Sequence, residues 1–304
     1  MKPTWKHWLE YGLLRLVVGA LGPLGIRRAG AIGARLGLLG YWPLRIRRDV
    51  VTRHINACFP ERSTAERAAL VRASYEHLGR TAVESVLMSR LGSESLRDLL
   101  ERVDGWEVVE RARARGNGLV LVAAHLGNWE LLGAFLVLVG IPVAAVAKRQ
   151  INRLSDAFVS RTRRRLGIEV VYEDEAVRKL PRLLKQGFAI GLLSDQAGLG
   201  AATHTPFFGR PARTPRGAAV FALRFDAPIL FVLAARQPNG KFILHVEEVE
   251  VTRTGDLEAN IEATTIRFTA VIEKWVRRYP GQYLWAHRRW KRQPADTPPE
   301  LREP

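Results

Sequence analysis

Apolar residues follow two different rhythms along this chain of 304 residues, and the change falls near residue 105. Before it, they recur at helical spacing. The stretch "STAERAALVRASYEHLGRTAVESVLM" (63–88) places Ala69, Leu70, Ala73, Leu78, Ala82, Val83 and Val86 on one helical period, and Ser63 and Glu66 stand at capping-box spacing. Pro60 and Gly92 punctuate its ends, and a shorter helix, "SLRDLLERV", leads to Asp104 and Gly105. Residues 1–104 therefore read as helices only.

From residue 106 the apolar positions gather into strand-length runs: "NGLVLVAAH", "IPVAAVA", "IEVVY", "FAIGLLS", "PILFVLAA" and "KFILHVEEVEV". The first two are continuously apolar, as strands covered on both faces are. Between the runs lie helical stretches, among them "NWELLGAFLVLVG", the basic "RLSDAFVSRTRRRLG" and "EAVRKLPRLLKQG", which Pro181 is placed to kink. Thr214 and Pro215 stand as N-cap and first helical residue of "TPRGAAVFALRF". A long helix runs through Tyr279. This alternation predicts an α/β fold, a mainly parallel mixed sheet with helices on both faces. The expected organisation is a helical segment over 1–104, an α/β domain over 105–292 and a loose tail over 293–304, where Pro294, Pro298, Pro299 and Pro304 cluster.

The N-terminal run "YGLLRLVVGALGPLGI" (11–26) carries Arg15 and Pro23 and falls short of the roughly 18–20 uninterrupted apolar residues of a clean span. Glu10 and Arg15 argue against a secretory signal. Lys2, Lys6, Arg27 and Arg28 flank it, with Trp5, Trp8, Tyr41 and Trp42 nearby, a composition suited to a helix lying in the lipid interface.

Charge sharpens that picture. The 47 Lys and Arg against 30 Asp and Glu leave a net charge of +17, which favours anionic partners: a lipid head group, an acidic carrier protein or nucleic acid. The basic residues are scattered and no nucleic-acid-binding signature is present, so nucleic acid is not expected as a partner. Cys58, in "INACFPE", is the only cysteine, which excludes an internal disulfide and any Cys-based zinc spacing, and it reads as a buried inert thiol.

The run "VAAHLGNWELLGAF" (122–135) concentrates the candidate chemistry. With the strand ending near His125 and Asn128 capping the next helix, Glu130 falls in the first helical turn. Within one helix two residues five apart differ in direction by about 140°, so the turn is what permits His125 and Glu130 to meet. Gly127 offers close approach to the backbone, and first-turn amides offer partial positive charge to an oxyanion or phosphate. An imidazole beside a carboxylate is a general base, because the carboxylate fixes the tautomer and stabilises the imidazolium. No HExxH spacing is present, so no metal is expected.

"HLGNWE" resembles the H-x4-E motif of the lysophospholipid/glycerolipid acyltransferase superfamily, and its Trp129-Glu130 form resembles the bacterial lipid A biosynthesis (late, Kdo-dependent lauroyl/myristoyl-type) acyltransferases. The likeness continues through "VAKRQIN", with Lys148 and Asn152 the best match and Arg149 an alternative. It extends to "RTRRRLG" (Arg163 or Arg164), "GLLSDQ" (Asp195, Gln196), "FFGRPARTPRG", "APILF" and "GQYLWAHRRWKR". Where the family commonly has Arg-Pro, this chain has Lys148-Arg149-Gln150.

The resemblance implies direct acyl transfer without a covalent enzyme intermediate. His125, oriented by Glu130, deprotonates an acceptor hydroxyl that attacks an acyl thioester, from acyl carrier protein or CoA as co-substrate, with no other cofactor. It further implies Lys148, Arg149, Arg163, Arg164, Gln196 and amides near Asn128 as contacts to substrate phosphates or the oxyanion, with Asp195 orienting an arginine. The expected acceptor is an anionic glycolipid such as a lipid A precursor, at the cytoplasmic face of the bacterial inner membrane. Alternatives are a phosphatidylinositol mannoside or lysophospholipid acceptor, or a noncatalytic membrane scaffold. Trp285 and Trp290 read as core; His287, Arg288 and Arg289 either face head groups or cap the last helix.

Overall fold

The computed structural model describes residues 3–197 and 200–304, so Lys2 of the N-terminal basic flank lies outside the described residues. The chain opens with helices α1 (Trp5–Leu21), α2 (Gly25–Tyr41), α3 (Arg48–Cys58), α4 (Thr64–Leu87) and α5 (Ser93–Leu99), then strand β1 (Leu100–Asp104) and α6 (Trp106–Ala114). Strands and helices then alternate: β2 (Leu119–Ala123), α7 (Trp129–Leu138), β3 (Val143–Ala147), α8 (Arg153–Arg165), β4 (Glu169–Tyr172), α9 (Ala176–Lys185) and β5 (Ala189–Leu193). The remainder is a hairpin, β6 (Ala202–Phe207) and β7 (Arg210–Pro215), followed by α10 (Gly217–Phe225), β8 (Ile229–Arg236), β9 (Phe242–Val249) and α11 (Leu257–Arg278).

Seven strands form one sheet in the order β1-β9-β8-β2-β5-β3-β4, parallel throughout except for the antiparallel β8–β9 pair. Every residue of β2 is buried. Its alternate side chains serve two cores: Val120 and Val122 pack with Ile229, Phe231 and Phe268, while Leu119 and Leu121 pack with Leu131, Phe135 and Val232. Both faces are thus covered by helices, which is why the run is apolar without a gap, each such side chain contributing roughly 1.5–3 kcal/mol by leaving water.

The Ser63–Glu66 capping box forms, with Ser63 N–H donating to Glu66 Oε2 at 2.8 Å and Glu66 N–H to Ser63 Oγ at 3.3 Å. α2 lies against α4 so closely that a Cβ at Gly37 would sit 2.1 Å from the Tyr75 carbonyl oxygen. Cys58 is 3% exposed and burial pushes its thiol pKa up, in keeping with an inert role.

Four expectations are corrected. Residues 1–104 are not helical throughout: β1 pairs with β9 at the sheet edge, where its exposed Glu101 and Arg102 suit a strand with one free side and mask it in the sequence. Thr214 and Pro215 belong to β7, and α10 starts at Gly217. The β6–β7 hairpin turns through Phe208 and Gly209 at φ of +50° and +72°, and its three prolines conceal it from a strand pattern. The tail is held rather than loose: Arg210 donates to the carbonyls of Glu300 and Arg302, Gln293 to that of Leu301, and Arg288 pairs with Glu303.

The N-terminal apolar segment is longer than the sequence pattern predicts. α1, a short 3-10 turn and α2 form a stretch, Trp5–Tyr41, long and apolar enough to cross a membrane by length and composition. Most of it is uncovered by the rest of the protein, with Trp5, Trp8, Leu9, Leu13 and Leu16 each more than half exposed. α1 is docked on the α/β unit through Asn152, whose Nδ2 donates to His7 O at 2.9 Å and Glu10 Oε2 at 2.8 Å.

Three histidines are buried in neutral form, chiefly by desolvation: His77 is lowered from 6.5 to about 3, and His54 and His245 to about 4. The unfolded chain takes up protons below pH 6.5 that the folded chain refuses, so their stabilisation is complete above that value and is lost as pH falls toward 4. Thermal unfolding followed by circular dichroism is expected to show the midpoint dropping across this window.

Candidate active site

β2 and β5 are neighbours in parallel register, with Ala123 opposite Leu193. His125 and Asp195 each lie two residues beyond that matched pair, at the strand ends where a parallel sheet opens a crevice. Asp195 Oδ2 accepts the His125 backbone N–H at 3.0 Å, and Oδ1 lies 2.8 Å from His125 Nδ1. An ionised carboxylate only accepts, so Nδ1 carries the proton and Nε2 presents a lone pair.

The electrostatics follow from who is buried. Burial alone pushes the His125 pKa down, but the Asp195 charge and hydrogen bond, with the more distant Glu130 charge, outweigh it and raise it above 6.5. Asp195 is 1% exposed. Desolvation pushes its pKa up, yet the His125 ring and backbone N–H, with the buried Arg289 charge, hold it below the ordinary value. Burial and the Asp195 charge push the Tyr283 hydroxyl pKa well up, which keeps it protonated near that carboxylate. The His125 side chain keeps 18% of its surface open, which leaves the base reachable.

Glu130 does not orient His125, contrary to what the H-x4-E spacing implied. It holds Arg163 in a two-pronged ion pair, Nη2 to Oε1 at 2.6 Å and Nε to Oε2 at 3.1 Å. The indole of Trp129, not the Glu130 carboxylate, packs on the imidazole, with ring centroids 5.1 Å apart. Trp129, Glu130 and Arg163 rim a cavity of about 90 Å³ whose walls are apolar, including Leu132, Leu136, Val143 and Ile168 between α7 and the sheet.

Asn128 is the N-cap of α7, as the sequence predicts, with Oδ1 accepting from Leu131 N–H at 2.9 Å. It does not face a substrate. The residue is wholly buried, and its Nδ2 donates to Glu84 Oε2 at 2.7 Å, a carboxylate that Arg236 grips through both Nη atoms at 2.6 and 2.5 Å. Gly127, at φ +62°, is close to protein rather than to a ligand: a Cβ there would lie 2.2 Å from the Ala234 carbonyl oxygen.

The other expected contacts scatter. Lys148 is exposed just beyond β3, and Arg164 is exposed on α8. Arg149 lies 3.7 Å from the Tyr172 ring centroid and reaches Asp174 and Glu175. Gln196 is half-buried beside Asp195. Of the cations proposed from sequence, the cavity lining includes Arg163 and none of Lys148, Arg149 or Arg164.

The segment 281–292 walls the site. Leu284 N–H donates to His125 O at 3.0 Å, Gly127 N–H to Gln282 O at 3.1 Å, and Leu126 bridges Tyr283. Trp285 and Trp290 are core residues at 1% exposure. Arg289 is buried on Arg213 O and Thr214 Oγ1, so it neither faces head groups nor caps a helix. Glu84 and Arg236 escaped the sequence reading, and Gln282 and Tyr283 entered it only within the block "GQYLWAHRRWKR"; for Glu84 the available signal was a carboxylate set in the mainly apolar run "AVESVLM".

A mainly parallel α/β sheet carries an imidazole–carboxylate pair at its strand ends, beside a small apolar cavity, an arrangement with the groups that general-base chemistry needs. The chain belongs to the bacterial lipid A biosynthesis acyltransferase family, whose family model matches residues 1–292, and it is an acyltransferase. It is 26% identical to the lipid A biosynthesis palmitoleoyltransferase of Escherichia coli (strain K12), over 96% of this chain and 92% of that protein. Its identity to the lipid A biosynthesis lauroyltransferase of the same organism is 28%, covering 97% and 94%. A phosphatidylinositol mannoside acyltransferase of Mycobacterium tuberculosis (strain ATCC 25618 / H37Rv) is 28% identical, over 84% of this chain and 81% of that protein.

Replacing Asn128 with Ala strips a helix cap and one partner of a buried carboxylate, so a loss of roughly 2–4 kcal/mol is expected from these two effects together. Denaturant unfolding of the variant measures it.

Proposed function

We propose that this protein transfers a fatty acyl chain from a thioester of acyl carrier protein or CoA to a hydroxyl of a lipid A precursor or related anionic glycolipid. His125 is the general base and Asp195 its orienting partner. The observation that carries this reading is the His125–Asp195 hydrogen bond beside a cavity lined by apolar side chains and rimmed by Arg163.

The acceptor hydroxyl gives its proton to His125 Nε2 as its oxygen attacks the thioester carbonyl carbon. The tetrahedral oxyanion collapses, the carbon–sulfur bond breaks, and the departing thiolate takes the proton back from the imidazolium. Arg163, held in place by Glu130, supplies positive charge beside the reacting carbonyl or a substrate phosphate. The cavity is far below the ~300–1,000 Å³ typical of pockets that enclose whole ligands, so it receives the first carbons of the acyl chain, and a longer chain requires α7 and the sheet to part.

The net charge of +17 suits an acidic carrier protein and an anionic lipid. The exposed apolar face of α1 suits attachment to the inner membrane, with the site on the cytoplasmic side where such thioesters are made. Identity to a phosphatidylinositol mannoside acyltransferase favours a second acceptor class, a phosphorylated inositol mannoside, which the same site chemistry accommodates.

Acyl transfer from labelled acyl carrier protein or acyl-CoA into membranes tests the reading. His125→Ala is expected to lower kcat by roughly 10²–10⁴-fold, the usual size of a general-base contribution. Because the imidazole must be neutral and its pKa is raised, activity falls on acidification from a point above pH 6.5. Asp195→Asn removes the upward push, so kcat drops and the acid limb moves to lower pH. Equal product from native protein and His125→Ala would overturn the assignment of His125 as the general base.

A further inference from the structure

A second depression lies away from the dyad. Arg45, Arg48, Asp49, Thr52 and Arg53 line an open pocket of about 500 Å³ at the junction of α2 and α3. Three arginines and one carboxylate are among its lining residues. No carboxylate pairs with Arg45 or Arg48 among the described residues. Arg45 stacks on Trp42 at 4.6 Å, and Arg48 stacks on Tyr41 at 4.4 Å while donating to its hydroxyl. Arg53 Nε donates to the Pro304 carbonyl at 3.0 Å.

The chain that carries Arg45 and Arg48 also exposes apolar residues. In "WPLRIRR" (42–48), Trp42, Leu44 and Ile46 are 55%, 64% and 56% exposed, interleaved with Arg45 and Arg47. The segment holds them out on a fixed frame: Leu44 N–H donates to Leu39 O, Ile46 N–H to Gly40 O, and the Tyr75 hydroxyl to Ile46 O at 2.5 Å. Aromatic and aliphatic tips beside unpaired arginines match the bilayer interface, where rings settle at head-group depth and guanidinium groups meet phosphate. Arg47 Nη1 donates to Ala286 O, two residues from the Leu284 amide that bonds the His125 carbonyl, so this segment is tied to the wall of the active site.

We propose that the Arg45–Arg48–Arg53 pocket binds the phosphate of an anionic bilayer lipid while Trp42, Leu44 and Ile46 enter the interface. This makes it a second, charge-selective membrane contact that, together with α1, fixes the tilt of the catalytic crevice on the bilayer. The inference rests on the membrane attachment proposed above. A bilayer lipid is favoured over the acceptor's own phosphate because exposed Trp42, Leu44 and Ile46 adjoin Arg45 and Arg48 in the chain, whereas the cation lining the cavity near the dyad is Arg163.

Flotation of the full chain with vesicles of phosphatidylcholine alone, or of phosphatidylcholine with phosphatidylglycerol, tests it. The native protein is expected to bind both, more tightly with phosphatidylglycerol, and added salt should erase the difference. Arg45→Glu combined with Arg48→Glu is expected to weaken binding to the anionic vesicles by roughly tenfold or more, at about fivefold per basic residue near a charged surface. Binding to neutral vesicles, acyl transfer in detergent micelles and the thermal unfolding midpoint should stay native, and Arg45→Lys with Arg48→Lys should retain most of the anionic preference.

Unchanged binding of the double glutamate variant to anionic vesicles would overturn the inference and leave attachment through α1 standing. Failure of the native protein to bind either vesicle would overturn both. A raised KM for the acceptor in micelles, with vesicle binding intact, would assign the pocket to the acceptor's phosphate and overturn the bilayer-lipid assignment.

Discussion

Asp195 is a carboxylate taken almost entirely out of water, and such a group stays charged only if the protein surrounds it with donors and positive charge. Meeting that demand draws on distant parts of the chain. The β2–β5 register supplies the His125 ring and its backbone amide, and the segment after α11 supplies the Tyr283 hydroxyl and the Arg289 charge. The same segment then bonds the backbone on both sides of Leu126. Satisfying one buried anion therefore also builds the wall of the crevice and sets the imidazole tautomer.

A second buried carboxylate does the equivalent work one layer deeper. Glu84 of α4 lies between Arg236 of β8 and Asn128, the cap of α7. The His77 ring, from the same helix, bonds the Gly127 carbonyl. A pair such as Glu84–Arg236 adds little net stability relative to an apolar substitute, but losing one member strands the other charge, so its value lies in fixing geometry. What it fixes is the angle at which α7 leaves the sheet, and with it the positions of Trp129 and Glu130.

The class of fold was legible because strands covered on both faces must be apolar at every position, and β2, β3, β5 and β8 announce themselves in that way. β1 was not, since an edge strand keeps charged residues on its free side, and the hairpin carrying Pro206, Pro211 and Pro215 was hidden by residues that usually oppose strands. At the site, His125 and the Asn128 cap could be read from local sequence. The partner of His125 could not, because strand order is a property of packing: β2 and β5 are separated by two intervening units in the chain, and nothing local says that they are neighbours. Linear proximity pointed to Glu130, which geometry gives to Arg163.

Strand β1 ties the N-terminal helices into the sheet. Because that strand completes the sheet beside β9, and because Glu84 neutralises an arginine rooted in β8, the N-terminal helices are not a detachable unit. A fragment begun at residue 105 would expose a raw β9 margin and an orphaned guanidinium, inviting self-association. Exposed apolar surface is better reduced by repainting the outer face of α1 with polar residues while every helix is kept.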